Sequence, residues 1–172
     1  MATKRAAAKK EIVLGCEAQD LVSGFRGIVA CRFEHMNGNT QYTLQPPMKK
    51  GATDTPKPRG FDGHMLKYVG AGVSASAQKP TDFANLELGS QAKDRASGLV
   101  GIVLARAIFL NGCVYYDVQP PLNKDGELPE ALLYGSERLE RVGEGITATL
   151  PKKPEKSEKP APGGPFRMAR MA

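Results

Sequence analysis

The chain has 172 residues and a formal net charge of +6, with no Trp and few aromatic side chains. This length suits one medium domain or two very small ones, and the low aromatic content leaves mainly Val, Ile and Leu to fill the cores. No apolar run approaches the ~20 residues that a membrane-spanning helix needs, and no apolar stretch follows the charged N-terminus, so we expect neither a membrane segment nor a signal peptide.

The positive charge is concentrated in the two ends of the chain. Residues 1–10 hold four basic residues and no acid, and residues 151–172 hold six basic residues and two acids, so each arm carries +4. The total of +6 therefore leaves −2 for the body between the arms. A slightly acidic body lacks the broad positive face of a duplex-binding domain, so contacts with phosphate or an acidic surface are expected only in the arms. The candidate residues for these contacts are Lys4, Arg5, Lys9, Lys10, Lys152 and Lys153.

The body of the chain is a duplication with an offset of 74 residues, which slips to 73 after the Pro-Pro pairs. Three segments recur: Leu14-Gly15 with Asp20 as Leu88-Gly89 with Asp94, then 23–29 as 97–103, then 42–47 as 116–121. A period this long indicates a duplicated small domain rather than a solenoid. In chain order we predict a basic arm (1–10), unit one (11–73), a linker (74–84), unit two (85–149) and a Pro/Lys-rich arm (150–172).

Each unit carries only β signals. Asp20 and Asp94, each followed by Ser and Gly, predict turns closed by side-chain hydrogen bonds. A strand with Gly27 or Gly101 near its start follows, where we expect a bend or bulge. The Asn37-Gly38 and Asn111-Gly112 pairs predict hairpins, and Pro-Pro ends each return strand. A variable loop, a short strand, a turn and a closing strand complete each unit.

Strand parity gives a first candidate interface. In unit two, Val103, Ala105, Ala107 and Phe109 are predicted to face the core, and the opposite stripe is predicted to face outward. An outward apolar stripe indicates a buried contact, either between the two units or with another protein. The predicted interface residues are Ile102, Leu104, Arg106 and Ile108, together with Arg32 and the C-terminal anchor candidates Phe166, Met168 and Met171.

We find no catalytic constellation, nucleotide-binding loop or metal-ligand spacing in the sequence, and we predict a protein that is not an enzyme and has no cofactor. The three cysteines, Cys16, Cys31 and Cys113, lack repeat partners and C-x-x-C spacing, and small buried thiols are expected. Tyr42 and Tyr116 lie on the same side of their predicted strands as neighbouring apolar residues. We therefore expect both side chains to lie in the core rather than to stack on nucleic-acid bases.

The pattern Gly-x-x-x-x-Asp-x-x-Ser-Gly-x-x-Gly-Ile-Val-x-x-Arg, followed by Asn-Gly, Tyr and Pro-Pro, resembles a small-barrel family of tailed-phage and prophage proteins. It is also similar to the KOW motif of SH3-like barrels. Unit two fits best, through residues 110–116, whereas unit one departs from the pattern at His35-Met36 and Asn39-Thr40. The resemblance implies an all-β chain of two tandem SH3-like barrels. It also implies a virion-associated protein and supplies no catalytic residues.

From this resemblance we expect a structural virion protein. Its predicted role is head decoration or cement, with the major capsid protein or other virion proteins as partners and self-association as a further expectation. It would be located in the host cytoplasm before assembly. A neck, tail or baseplate component is the closest variant. The alternative from another class is a KOW-type nucleic-acid-binding protein that holds phosphates through its basic arms.

Overall fold

The computed structural model describes residues 10–147, and the regular elements in this part are ten β-strands with three single 3₁₀ turns. The pairings between the strands are all antiparallel, so the predicted all-β class is confirmed. No helix among these residues is long and apolar enough to cross a bilayer. The strands are β1 (Glu17–Asp20), β2 (Arg26–His35), β3 (Thr40–Gln45), β4 (Arg59–Asp62), β5 (Leu66–Gly70), β6 (Gln91–Asp94), β7 (Val100–Phe109), β8 (Val114–Gln119), β9 (Leu132–Gly135) and β10 (Leu139–Gly143).

The two units have the same strand order. In unit one the order is β5-β1-β2-β3-β4, and in unit two it is β10-β6-β7-β8-β9. A 3₁₀ turn joins the last two strands of each unit, at Gly63–Met65 and Ser136–Arg138. No described pairing joins β4 to β5 or β9 to β10, so closure of each unit into a barrel remains a prediction.

The predicted turns form as their residue types require. Gly38 and Gly112 adopt φ values of 80° and 82°, and the Asn before each glycine accepts a hydrogen bond from the amide two residues on. Gly27 has a different role from the one expected. An added Cβ there would lie 2.6 Å from the carbonyl oxygen of Gln45, so this glycine permits close strand approach, and the bulge lies further along β2.

Each unit has its own apolar core, and the two cores use corresponding positions. Tyr42 and Tyr116 are both buried in these cores, as predicted. Cys16 and Cys31 are buried, but Cys113 is exposed, so the expectation of buried thiols was wrong for that residue. The unit-one core comprises Ile12, Cys16, Ala18, Val29, Tyr42, Leu44 and Leu66. The unit-two core comprises Leu86, Ala92, Val103, Val114, Tyr116, Val118, Tyr134 and Leu139.

The two units join through their long strands. β2 pairs antiparallel with β7 over five residues, so the ten strands form one continuous sheet. Phe33 lies opposite Ala107, which is its own counterpart in the repeat. The two units are therefore related by an approximate two-fold axis through this pair. We call the β2–β7 pairing the seam.

The linker is ordered against unit two. The amide of Gln78 donates to the carbonyl of Leu110 (3.0 Å), and the amide of Thr81 donates to that of Gly112 (2.9 Å). Thr81 also forms an isolated parallel bridge with Cys113. The linker thus runs along the hairpin of the unit that it precedes.

Candidate functional site

The register of the seam strands shifts where a bulge interrupts each of them. In unit one the shift lies between Val29 and Cys31, and in unit two it lies between Val103 and Ala105. A bulge adds one residue to a strand, so the side chains beyond it exchange faces relative to a regular alternation. Strand parity read from the sequence is therefore valid only before the bulge.

This shift corrects the predicted interface stripe. Beyond the bulge, Arg106 pairs with Tyr116 and Ile108 pairs with Val114, which are both residues of the unit-two core. Ile108 packs against that core. Arg106 and Ile108 consequently lie on the core side of the seam and do not face outward as predicted, because the bulge reversed their parity.

The core side of the seam carries a chain of charges from both units. Glu34 on β2 binds two arginines: the Nη2 of Arg32 lies 2.8 Å from its Oε1, and the Nε of Arg106 lies 2.9 Å from its Oε2. Burial opposes the charge of Arg106, but the contact with Glu34 outweighs it and raises the pKa of the guanidinium. The two repeated cations therefore share one carboxylate, which ties unit one to unit two.

Asp82 extends this charged group into the linker. It accepts a hydrogen bond from the hydroxyl of Tyr116, and it lies 3.9 Å from Nη1 of Arg106. The Tyr116 oxygen also accepts the amide hydrogen of Leu86, at 3.1 Å. Burial and the hydrogen bond to Asp82 raise the pKa of Tyr116 to about 12. Through these two hydrogen bonds Tyr116 connects the core of unit two to the linker.

The opposite side of the seam, which we call the outer face, carries aromatic rings from both units. Pairing and alternation place Phe33 and His35 of β2 on this face, with Phe109 of β7 and Tyr115 of β8. The rings of Phe33 and His35 lie 6.4 Å apart, and those of Phe109 and Tyr115 lie 5.4 Å apart. All four side chains are half-buried. Sequence reasoning missed this face because unbroken parity assigned Phe109 to the core.

The polar groups of the outer face include His35, Gln41, Asp62 and Asp117. A ring nitrogen of His35 lies 3.1 Å from Oε1 of Gln41, and the amide of Gln41 donates to Asp62. The hydrogen bonds from Asn39 and Gln41 hold the pKa of Asp62 below its usual value. Burial raises the pKa of Asp117, which lies in the same row of the sheet as His35. Such a surface suits an apolar or basic protein partner and does not suit phosphate.

The remaining residues predicted for the partner interface, and those predicted to contact phosphate or an acidic surface, fall in three groups. Ile102 and Leu104 are half-buried on β7 close to the bulge, and the carbonyl of Leu104 accepts a hydrogen bond from the amide of Met36 in unit one. Lys10 is exposed, and its ammonium lies 5.0 Å from the ring centre of Tyr68. The others lie outside the described residues: Lys4, Arg5, Lys9, Lys152, Lys153, Phe166, Met168 and Met171.

The repeated aspartates close turns, as predicted. Asp20 accepts hydrogen bonds from the amide and hydroxyl of Ser23, and Asp94 accepts the corresponding bonds from Ser97. Of the two, Asp94 alone has an arginine partner in the described part of the chain, through two hydrogen bonds from Arg138. Among residues 10–147, no group of three or more metal-ligating side chains has the proximity to hold a metal ion.

No protein-family model matches this chain, and the comparisons with curated proteins and with solved structures gave no match.

Proposed function

We propose that this chain is a non-enzymatic structural protein of a tailed-phage virion, acting as a head decoration or cement protein. In this proposal it binds the major capsid protein and stabilises the shell. The proposal is supported chiefly by the seam, through which two copies of one small unit form a single sheet. A sheet that is continuous across two units offers one extended surface to neighbouring shell subunits. A neck, tail or baseplate position is the closest variant.

The outer face is the proposed contact surface. It spans both units, and its half-buried rings, Phe33, His35, Phe109 and Tyr115, would gain favourable burial against a partner. Asp62 and Asp117 at its two sides favour a shell surface with basic residues near an apolar centre. The rings would supply most of the affinity, and the carboxylates would set the orientation.

Copy number in purified particles tests the role. Quantitative mass spectrometry relative to the major shell protein should give hundreds of copies per particle if this chain decorates the head. A few dozen copies or fewer would instead place it at the neck, tail or baseplate. Absence from particles would overturn the virion proposal altogether.

Binding to shells that lack the protein tests the surface. The double variant Phe33→Ala/Tyr115→Ala should bind at least roughly tenfold more weakly, because buried aromatic side chains carry a large share of interface energy. Val22→Ala is the matched control, since Val22 is an apolar side chain that is 78% exposed on the turn after β1. Equal weakening by both variants would show that the outer face is not the contact surface.

Nucleic-acid binding is a second candidate, favoured by the charge of +4 on each arm. This function predicts binding that weakens steeply between roughly 50 and 200 mM salt. Deleting residues 151–172 would then reduce the salt dependence. In the cement proposal, the same deletion weakens assembly at every salt concentration.

A further inference from the structure

Two grooves flank the seam, and the approximate two-fold axis relates them. The linker groove, of about 320 Å³, is lined by Val13, Leu14, Arg32 and Ile108, with Ser74, Ala77, Gln78 and Pro80 of the linker. The open groove, of about 520 Å³, is lined by Asn85, Leu86, Glu87, Leu88, Arg106 and Arg141. Glu87, Leu88 and Arg106 are the repeat counterparts of Val13, Leu14 and Arg32. The described lining of the open groove contains no counterpart of the four linker residues.

The chain enters both grooves by the same path. The amide of Val73 donates to the carbonyl of Gly15 at 2.8 Å, and the amide of Ile146 donates to that of Gly89 at 2.8 Å. A Cβ added to Gly89 would contact both the carbonyl of Ile146 and the sulfur of Met36. The end of unit two therefore lies beside the hairpin of unit one, just as the linker lies beside the hairpin of unit two.

The segment after Ile146 also repeats the linker in sequence. Residues 73–80 read Val-Ser-Ala-Ser-Ala-Gln-Lys-Pro, and residues 146–154 read Ile-Thr-Ala-Thr-Leu-Pro-Lys-Lys-Pro. Leu150 stands in the place of Ala77 and offers more apolar surface to the larger groove. Pro151 stands in the place of Gln78, so the hydrogen bond that Gln78 donates to Leu110 has no equivalent at this position.

The charges of the open groove match this segment. Val13 and Pro80 both line the linker groove, and their counterparts are Glu87 and Lys153, which carry opposite charges. Glu87 already lies 3.5 Å from Arg141, and its second oxygen can accept a lysine. An apolar pair at one groove thus corresponds to a complementary charged pair at the other.

We propose that residues 147–153 of this chain occupy the open groove, as residues 74–80 occupy the linker groove. Leu150 then packs near Leu88, and Lys153 pairs with Glu87. Segments of the same type then fill both grooves beside the seam. Each segment adds contacts between the two units to those that the seam already makes.

Hydrogen exchange on the full-length protein tests this placement. The amides of 147–150 should exchange at least roughly tenfold more slowly than those of an unstructured peptide of the same sequence. Leu150→Asp should abolish this protection, and Ala161→Asp, outside the segment, should leave it unchanged. Lys153→Glu should weaken the protection, and adding Glu87→Lys should restore it. Exchange of these amides at the unstructured rate would overturn the proposal. Protection that is lost on dilution, or that does not respond to the changes at Glu87 and Lys153, would overturn it as well.

Disulfide formation provides an independent measurement in a Cys113→Ser background. Glu87→Cys with Lys153→Cys should close at least roughly tenfold faster than Glu87→Cys with Lys159→Cys, because loops of similar length close at similar rates in a free chain. Equal rates would contradict the proposal. Disulfide-linked dimers in place of monomers would assign the groove to a second copy. Protection of residues 1–9 in place of 147–150 would assign it to the N-terminal arm.

Discussion

Unit one and unit two share a fold but differ in the hydrogen bonds and ion pairs that their polar groups make. Within residues 10–147, Asp94 binds Arg138 whereas Asp20 has no arginine partner, because Met65 stands at the position of Arg138. Among the described residues, the Tyr116 hydroxyl donates to Asp82 and accepts from the amide of Leu86, whereas the Tyr42 hydroxyl donates to the carbonyl of Ile12 at 3.3 Å and has no second partner. The duplication kept the residues that specify the fold, while these additional ties lie in unit two. We therefore expect unit two to be the more stable unit and unit one to depend on the seam.

Substitutions at the centre of the seam should cause the largest loss of stability. Ala107 is 1% exposed, so Ala107→Asp places an unpaired charge in a buried site and should destabilise the protein by about 4 kcal/mol. The counterpart change, Phe33→Asp, falls on a half-buried position and should cost about 2 kcal/mol. Urea unfolding monitored by hydrogen exchange in each unit measures both. Loss of protection in unit two alone would show that unit one does not depend on the seam.

Acid should affect unit two through Asp94. The hydrogen bonds from Arg138 and Ser97 hold the pKa of Asp94 well below its usual value, and those from Ser23 lower the pKa of Asp20. A depressed carboxyl pKa stabilises the fold above the unfolded pKa near about 4, and this stability is lost as the pH falls through the folded value. Asp94→Asn should therefore remove more of the pH dependence below pH ~4 than Asp20→Asn.

Urea titrations of both variants at several acidic pH values measure this difference. Met65→Arg offers unit one the arginine that unit two has, and should increase the pH dependence that Asp20 contributes. Identical pH profiles for the two asparagine variants would remove Asp94 as a source of unequal stability.

Removing the hydroxyl of each core tyrosine should change the free energy of unfolding by a smaller amount, and the two changes should differ. Tyr116→Phe leaves Asp82 and the amide of Leu86 without their partner and should cost about 1–2 kcal/mol, whereas Tyr42→Phe should cost about 0.5–1 kcal/mol. The free energy of unfolding of each variant, measured in urea, checks the ranking. A larger loss from Tyr42→Phe would reverse the proposed order of stability.

The three cysteines allow the exposure of their thiols to be compared by chemical reactivity, without measuring stability. Cys113 is exposed and should react with a thiol reagent in the native protein. Cys16 and Cys31 are buried, and burial raises the pKa of Cys31 to about 12, so both should react only after unfolding. Counting native thiols by mass spectrometry tests this, and Cys113→Ser should reduce the native count to zero.

Local residue chemistry was enough to predict much of the fold. The Asp-x-x-Ser-Gly turns, the Asn-Gly hairpins and the buried tyrosines follow from the conformations and hydrogen bonds that these residue types favour nearby in the chain. The repeat itself predicted two equivalent units, and the all-β class followed from turn residues and alternating strands. These features depend on short-range interactions, which one sequence is sufficient to encode.

The candidate site was not predictable in the same way. Glycines at 27 and 101 indicated an irregularity, but the bulges lie at Ala30 and Leu104, and a shift of one residue decides which side chains of β2 and β7 face outward. The pairing of Phe33 with Ala107, and the sharing of Glu34 by two arginines, arise only when two edges separated by about 74 residues meet. Local sequence determined the two units. Tertiary pairing alone decided how they join, because register and strand partners depend on contacts between distant residues.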